Sequence, residues 1–319
     1  MNITILVLDS VFDTGLATIL DTFTTANELS ALYSCPGPQY RVTLAGVRPQ
    51  VRSAQLMGVP VVAVEDCPTP DWVIVPAMGH KMPESLQLAL RRDDVADAIA
   101  ALRTWAAAGI PIAAACIGTF VLAESGLLDE HESTTTWWLT PFFRQRYPAV
   151  KLDASRMIVR SGPFVTAGAA LSHLDMALWL IRQSSPELAT LVAKYLIVDS
   201  RPSQSAYVIA DHLAHADPLV ESFDRWVRAN LGQNINLDRA ASELATSKRT
   251  LARRIGDVLG KTPVSYIQDL RIERAVHLLK TSSHNVDAIA GMVGYADGVT
   301  LRTLLRRRLG KGIRDIKAA

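Results

Sequence analysis

Cysteine is scarce in this chain: three residues in 319, Cys35, Cys67 and Cys116. So small and odd a number excludes a disulfide framework and points to a reducing compartment. Long apolar runs are missing as well. The longest nearly apolar stretch, 110–123, is broken by Pro, Gly and Thr and falls short of the roughly 20 residues that a membrane span needs. Residues 1–10 lack a basic leader and read as a strand, not a signal peptide. No paired cysteines, closely spaced histidines on one helix face or acidic calcium-loop repeat is present, so no metal and no cofactor is expected. Neither sign of charge dominates, with 33 Lys and Arg against 31 Asp and Glu. What remains is a soluble, cytoplasmic globular protein, and a 49% hydrophobic chain of this length predicts two domains.

Charge is unevenly distributed. From Asp217 onward 18 basic residues face 11 acidic ones, a net of +7, whereas residues 1–216 hold 15 and 20, a net of −5. This asymmetry predicts that the tail meets a polyanion and that the larger part has another task.

Up to about residue 196, short branched apolar runs (3–8, 40–45, 72–76, 110–115, 163–167) alternate with helical patterns (16–29, 95–108, 119–124, 171–183). Runs without a polar alternate face predict strands buried on both sides, hence a layered, mostly parallel sheet flanked by helices. Ser184, Ser185 and Pro186 punctuate the end of the last helix. A polar run over 199–205 predicts an exposed connector, which gives an α/β domain over 1–198, a linker over 199–217 and an all-α domain over 218–319.

The all-α domain reads as six or seven helices: 219–231, 237–245, 247–259, 263–279, 286–293 and 297–309 among them. In the third, Leu251, Ile255, Val258 and Leu259 form a core stripe. Ser247 caps the helix, Lys248, Arg249 and Arg253 point away from the stripe, and Arg254 does so more laterally. About fifty residues later the pattern recurs. Asn285 caps one helix and Gly294 ends it, and the next has a core face of Leu301, Leu304, Leu305 and Leu309 behind Val299, Arg302, Thr303 and Arg306. A short helix, a tight turn and a second helix with a basic start fit the major groove of double-stranded DNA, and two such units in tandem make mere surface solvation a poor explanation. Gly260-Lys261-Thr262 looks like a phosphate loop, but its spacing from Gly256 is one residue short and a helix stands where a strand should.

The tail from about residue 231 resembles the AraC family of transcription regulators in 247–254 (SKRTLARR), 270–275 (LRIERA) and 293–295 (VGY). It departs from that pattern in having aliphatic Leu305 and Leu309 where an aromatic is usual, and Gly312-Ile313 where Ser-Pro is usual.

In the first domain, 110–115 ends at Cys116 and a helical pattern follows, so Cys116 lies at a strand-to-helix turn of nucleophile-elbow type. A thiol facing a helix N-terminus is expected to have a lowered pKa. With Asp13, 71–76, 115–118, 126–129 and 166–168 before Asp175, this domain resembles the ThiJ/PfpI class of glutamine-amidotransferase-like domains. That resemblance implies a flavodoxin-like amidotransferase fold and, with the tail, a GlxA-type regulator. Related domains often carry a His where this chain has Thr136, and a Gly-Gly where it has Ala77-Met78, so catalysis is not expected. His80 and His131 read as loop residues and His173 as structural. A binding site for a small-molecule effector is expected instead, from Asp13, Cys116, Thr136, Trp137 and Trp138. The leading expectation is a DNA-binding transcription regulator, homodimeric and not membrane-bound. The alternatives are a cysteine-dependent amidase or hydrolase using Cys116, with the tail for localisation, and a constitutive DNA binder whose first domain only dimerises.

Overall fold

A computed structural model describes residues 1–199, 201, 203–204, 217–282, 284–309 and 312–318. It divides into two compact units, Met1–Val208 and Ile209–Ala319.

The first unit is built on a seven-stranded sheet: β1 (Asn2–Leu6), β2 (Arg41–Gly46), β3 (Val62–Ala63), β4 (Trp72–Val75), β5 (Ile112–Ala115), β6 (Ile158–Ser161) and β7 (Phe164–Ala167), in the spatial order β6-β7-β5-β4-β1-β2-β3. All pairings are parallel except β6 with β7. The alternation of side chains along each strand divides the core in two. Leu6, Val73, Val75, Ile112 and Ala114 face one layer, with α2 (Pro83–Ala89), α3 (Asp93–Ala107), α4 (Gly118–Glu124) and α5 (Thr140–Arg146). Ile3, Ile5, Ile74, Ala113, Ala115 and Val165 face the other, with α1 (Asp13–Tyr33), α6 (Ser172–Ser184) and α7 (Pro186–Tyr195). Strands buried on both faces are thus the physical reason for the unbroken apolar runs.

Two elements depart from expectation. Ser184 does end α6, but Ser185 accepts a hydrogen bond from the Leu188 N–H and Pro186 takes the first helical position, so the same residues also start α7. The antiparallel edge strand β6 was not expected, because Arg160 and Ser161 break its apolar pattern. The connector also differs from the exposed run anticipated. Most of it lies outside the described residues, but Gln204 is wholly buried and Arg201 is ion-paired to Asp175.

The second unit contains α8 (Pro218–Ala229), α9 (Leu237–Glu243), α10 (Lys248–Leu259), α11 (Pro263–Thr281), α12 (Val286–Met292), α13 (Gly298–Leu309) and α14 (Ile313–Ala318). The starts of α8 to α12 carry a chemical reason: Asp217, Asn236, Ser247, Thr262 and Asn285 all accept backbone N–H groups at helix N-caps. Gly260, with φ 65°, ends α10, and Thr262 opens α11, so the segment resembling a phosphate loop is a helix boundary. No described helix is long and apolar enough to cross a membrane.

Candidate functional site

Two helix pairs in the tail share one plan. α9 turns into α10 through Ala245 (φ 50°), and α12 turns towards α13 through Gly294 (φ 83°). The second turn is one residue longer, so the caps Ser247 and Asp297 stand fifty residues apart while the turn residues stand forty-nine apart. Both caps accept the N–H of a threonine, Thr250 at 3.1 Å and Thr300 at 2.7 Å. Behind the caps, Leu251 and Ile255 in one unit and Leu301 and Leu305 in the other are buried. Leu304, expected in that core, is only half-buried, because it falls at the margin of the stripe. The side chain of Leu309 lies outside the described residues.

The opposite faces are exposed and basic. Arg249, Arg302 and Arg306 are exposed and have no ion partner among the described residues. Lys248 pairs with Asp238 at 3.1 Å and Arg253 with Asp257 at 3.5 Å, both in solvent, where such pairs contribute about 0–1 kcal/mol and yield readily to a phosphate. Val299 and Thr303 share the face of the second unit; the Thr303 hydroxyl donates to the Val299 carbonyl at 3.0 Å. Arg254 corrects its expected outward orientation. It ion-pairs with the buried carboxylate of Asp217, which also caps α8, and so braces α10 against α8.

In the first unit Cys116 is a strained corner. Its φ is 54°, its N–H donates to the Ala167 carbonyl, and Gly118 follows because a Cβ there would lie 2.2 Å from the Val75 carbonyl oxygen. The thiol, however, is 2% exposed, and burial pushes its pKa up to about 12. This reverses the expected lowering. The Ile117 N–H and the Thr136 hydroxyl favour the thiolate, but desolvation outweighs both, and α4 has only seven residues. The Thr135 hydroxyl donates to the Cys116 carbonyl at 2.8 Å, and Thr136 is wholly buried.

Among the described residues, no hydrogen bond joins a histidine to this thiol. His173 is fully buried, with Nδ1 against the Ala170 carbonyl and Nε2 accepting the Ala77 N–H, and burial lowers its pKa to about 4. His80 engages the Ser10 hydroxyl and His131 that of Ser161, each at 3.0 Å. Of the other expected ligand contacts, Trp137 and Trp138 are half-buried and pack edge-to-face at 5.6 Å. Asp13 accepts the Gln55 N–H through one carboxylate oxygen, while the other is buried without a hydrogen-bond partner.

Sequence reasoning missed Gln204. Its amide Nε2 donates to the Thr135 carbonyl at 2.9 Å and lies within reach of the Thr134 hydroxyl at 3.2 Å, in a niche that a Cβ on Gly168 would fill. The connector is thereby pegged into the strap, 134–136, that covers Cys116.

Residues 240–318 match the helix-turn-helix domain family. The HTH-type transcriptional regulator GbdR of Pseudomonas aeruginosa (strain UCBPP-PA14) is 25% identical across 98% of this chain and 83% of its own length. The chain is a DNA-binding transcription regulator with a helix-turn-helix tail. Its tail is also similar to the HTH-type transcriptional activator RhaS of Escherichia coli O1:K1 / APEC, with 35% identity over 92 residues, which are 29% of the regulator and 33% of RhaS. A solved structure from Vibrio parahaemolyticus, 16% identical with a TM-score of 0.52, covers 61% of the regulator and 98% of its own chain and shares its fold.

Proposed function

We propose that the α/β domain is a non-catalytic, dimerising sensor for a small molecule, and that its occupancy biases how the two helix-turn-helix units read duplex DNA in the cytoplasm. One feature carries the DNA half of this reading: each unit sets an exposed basic face at the start of its second helix over a fully buried leucine or isoleucine stripe. Arg253, Arg302 and Arg306 suit guanine edges, Val299 and Thr303 suit thymine methyls, and Ser247, Lys248 and Arg249 suit phosphates. The nineteen residues of α11 span about 28 Å at 1.5 Å per residue, comparable with the ~34 Å between successive major grooves.

For the sensor half, the partnerless buried oxygen of Asp13 invites a ligand amine or hydroxyl. Cys116 and Thr136 would form the floor of such a site and Trp137 and Trp138 its wall, at the ends of the strands where open α/β sheets place ligands. A thiol held protonated by burial, with His80, His131 and His173 each engaged elsewhere, favours this over amide hydrolysis.

Selection of bound sequences from a random duplex library with the full-length protein tests the reading. A motif of two blocks about one helical turn apart is expected, retained in Cys116→Ser. No enrichment at low ionic strength, or ammonia release from amides that Cys116→Ser abolishes, overturns it.

A further inference from the structure

A large cleft at the β6 edge of the sheet, about 820 Å³, is lined by β6, α6, α7 and the described start of the connector. Arg156, Arg160, Arg182, Lys194 and Arg201 line it, against two carboxylates, Asp175 and Asp199. Asp175 is already committed to Arg201 at 2.6 Å, and Asp153 lies near Arg156. A surplus of positive charge is therefore gathered in one concavity of a domain whose overall balance is acidic.

We propose that this cleft binds a small organic anion bearing at least two negative charges, and that the anion fastens the start of the connector to the sheet edge. The inference goes beyond the sensor site described above and rests on the reading of the chain as a DNA-binding regulator. Three observations carry it. The buried Nε of Arg201 has no hydrogen-bond partner among the described residues, which leaves one donor of a cleft-lining guanidinium unsatisfied. Arg160 lies over the Trp179 ring at 5.9 Å, and Trp179 is itself held edge-on by Trp72, which orients a planar guanidinium for two-point contact with a carboxylate or phosphate. The volume suits a metabolite. Duplex DNA is a worse occupant, since the surrounding domain repels a polyanion that cannot enter a cleft of this size.

The cleft also holds the connector at two places. Arg201 belongs to the connector and reaches back to Asp175 and the Leu171 carbonyl. The backbone of Arg156 pairs with Ser203, and its carbonyl lies 3.4 Å from the Gln204 amide. An anion bridging the Arg156 and Arg201 side chains would join the two anchors, so its release is expected to loosen the peg that Gln204 sets into 134–136.

Titration calorimetry on the full-length protein, with citrate and inorganic pyrophosphate as probes at ionic strength fixed with KCl, tests the assignment. Saturable one-site binding of at least one probe is expected, citrate marking a carboxylate ligand and pyrophosphate a phosphate one. Arg160→Gln and Arg182→Gln, both at exposed positions, should each weaken it at least tenfold without changing apo melting temperature or anion-free DNA affinity. Heats that never saturate, or equal affinity in both variants, overturn the proposal while leaving the regulator reading intact. Loss of anion-free DNA affinity in the variants also overturns it, because the cleft would then be a nucleic-acid contact.

Discussion

The two units use their polar side chains in opposite ways. Around the Cys116 corner of the α/β unit the groups with chemical potential are inside: Cys116 is 2% exposed, Thr136 and His173 not at all. In the tail they stand in solvent, and the stripes directly behind them are aliphatic, with Leu251, Ile255, Leu301 and Leu305 under Arg249, Arg253, Arg302 and Arg306. Burial lowers the reactivity of a titrating group, whereas exposure leaves a guanidinium free to exchange water for phosphate. Polar side chains thus yield a quiet interior in one region and a contact surface in the other. The sharpest way to break this contrast is to damage the tail from within. Leu305→Ala removes a fully buried side chain between α13 and the residues of α11 and α12, and should cost about 2–5 kcal/mol. Urea unfolding followed with a DNA-binding readout should show the tail failing first. An unchanged midpoint would mean that the aliphatic interior does not support the basic face.

How much of this was legible follows the same division. In the tail, stripe and cap can be read directly, because helical period and capping chemistry are local: Ser247, Asn285 and Gly294 announce their roles within four residues. In the α/β unit the parallel strands were equally plain, and the Cys116 corner was visible as a strand meeting a helix. The ionisation of its thiol was not, because the desolvation comes from burial in the folded core, which no local pattern displays. Gln204 was unreadable for the same reason. Polar and set in a Ser/Pro run, it resembles linker, and only the notch at Gly168 explains its burial. Conversely, the signals at Ser185 and Pro186 were local and clear but mark a start as well as a stop.

The buried histidine sharpens the contrast through pH. With its pKa held down at about 4 by burial, His173 stays neutral in the fold while the unfolded chain takes up a proton near pH 6.5. Its contribution is therefore complete above pH 6.5 and lost as pH falls towards 4, amounting to about 3 kcal/mol across that window. Peptide-resolved hydrogen exchange should show α1 and α6 losing protection over that range, and His173→Gln should flatten the response. A slope unchanged by His173→Gln would assign the acid sensitivity to other groups.

On the tail, Arg253→Ala should relax discrimination at one base pair by about 1–3 kcal/mol if its guanidinium reads a base edge. Binding competitions with single-base operator variants distinguish this from a uniform loss across sequences, which would make Arg253 a phosphate contact.

The smallest expected effect compares the two reading helices with each other. The N-cap is Ser247 in one and Asp297 in the other, each holding a threonine N–H, and those hydrogen bonds keep the Asp297 carboxyl below its usual pKa range. A hydroxyl at a helix N-terminus can accept the capped N–H and also donate to an approaching phosphate, whereas a carboxylate there caps and repels. Ser247→Ala should therefore cost about 1 kcal/mol of stability through the lost cap. Ser247→Asp should restore that stability and still weaken DNA binding, with a shallower dependence on salt. Were Ser247→Asp to bind as tightly as the parent, Ser247 would serve the helix alone, and the first unit would grip the backbone from Lys248 and Arg249 only.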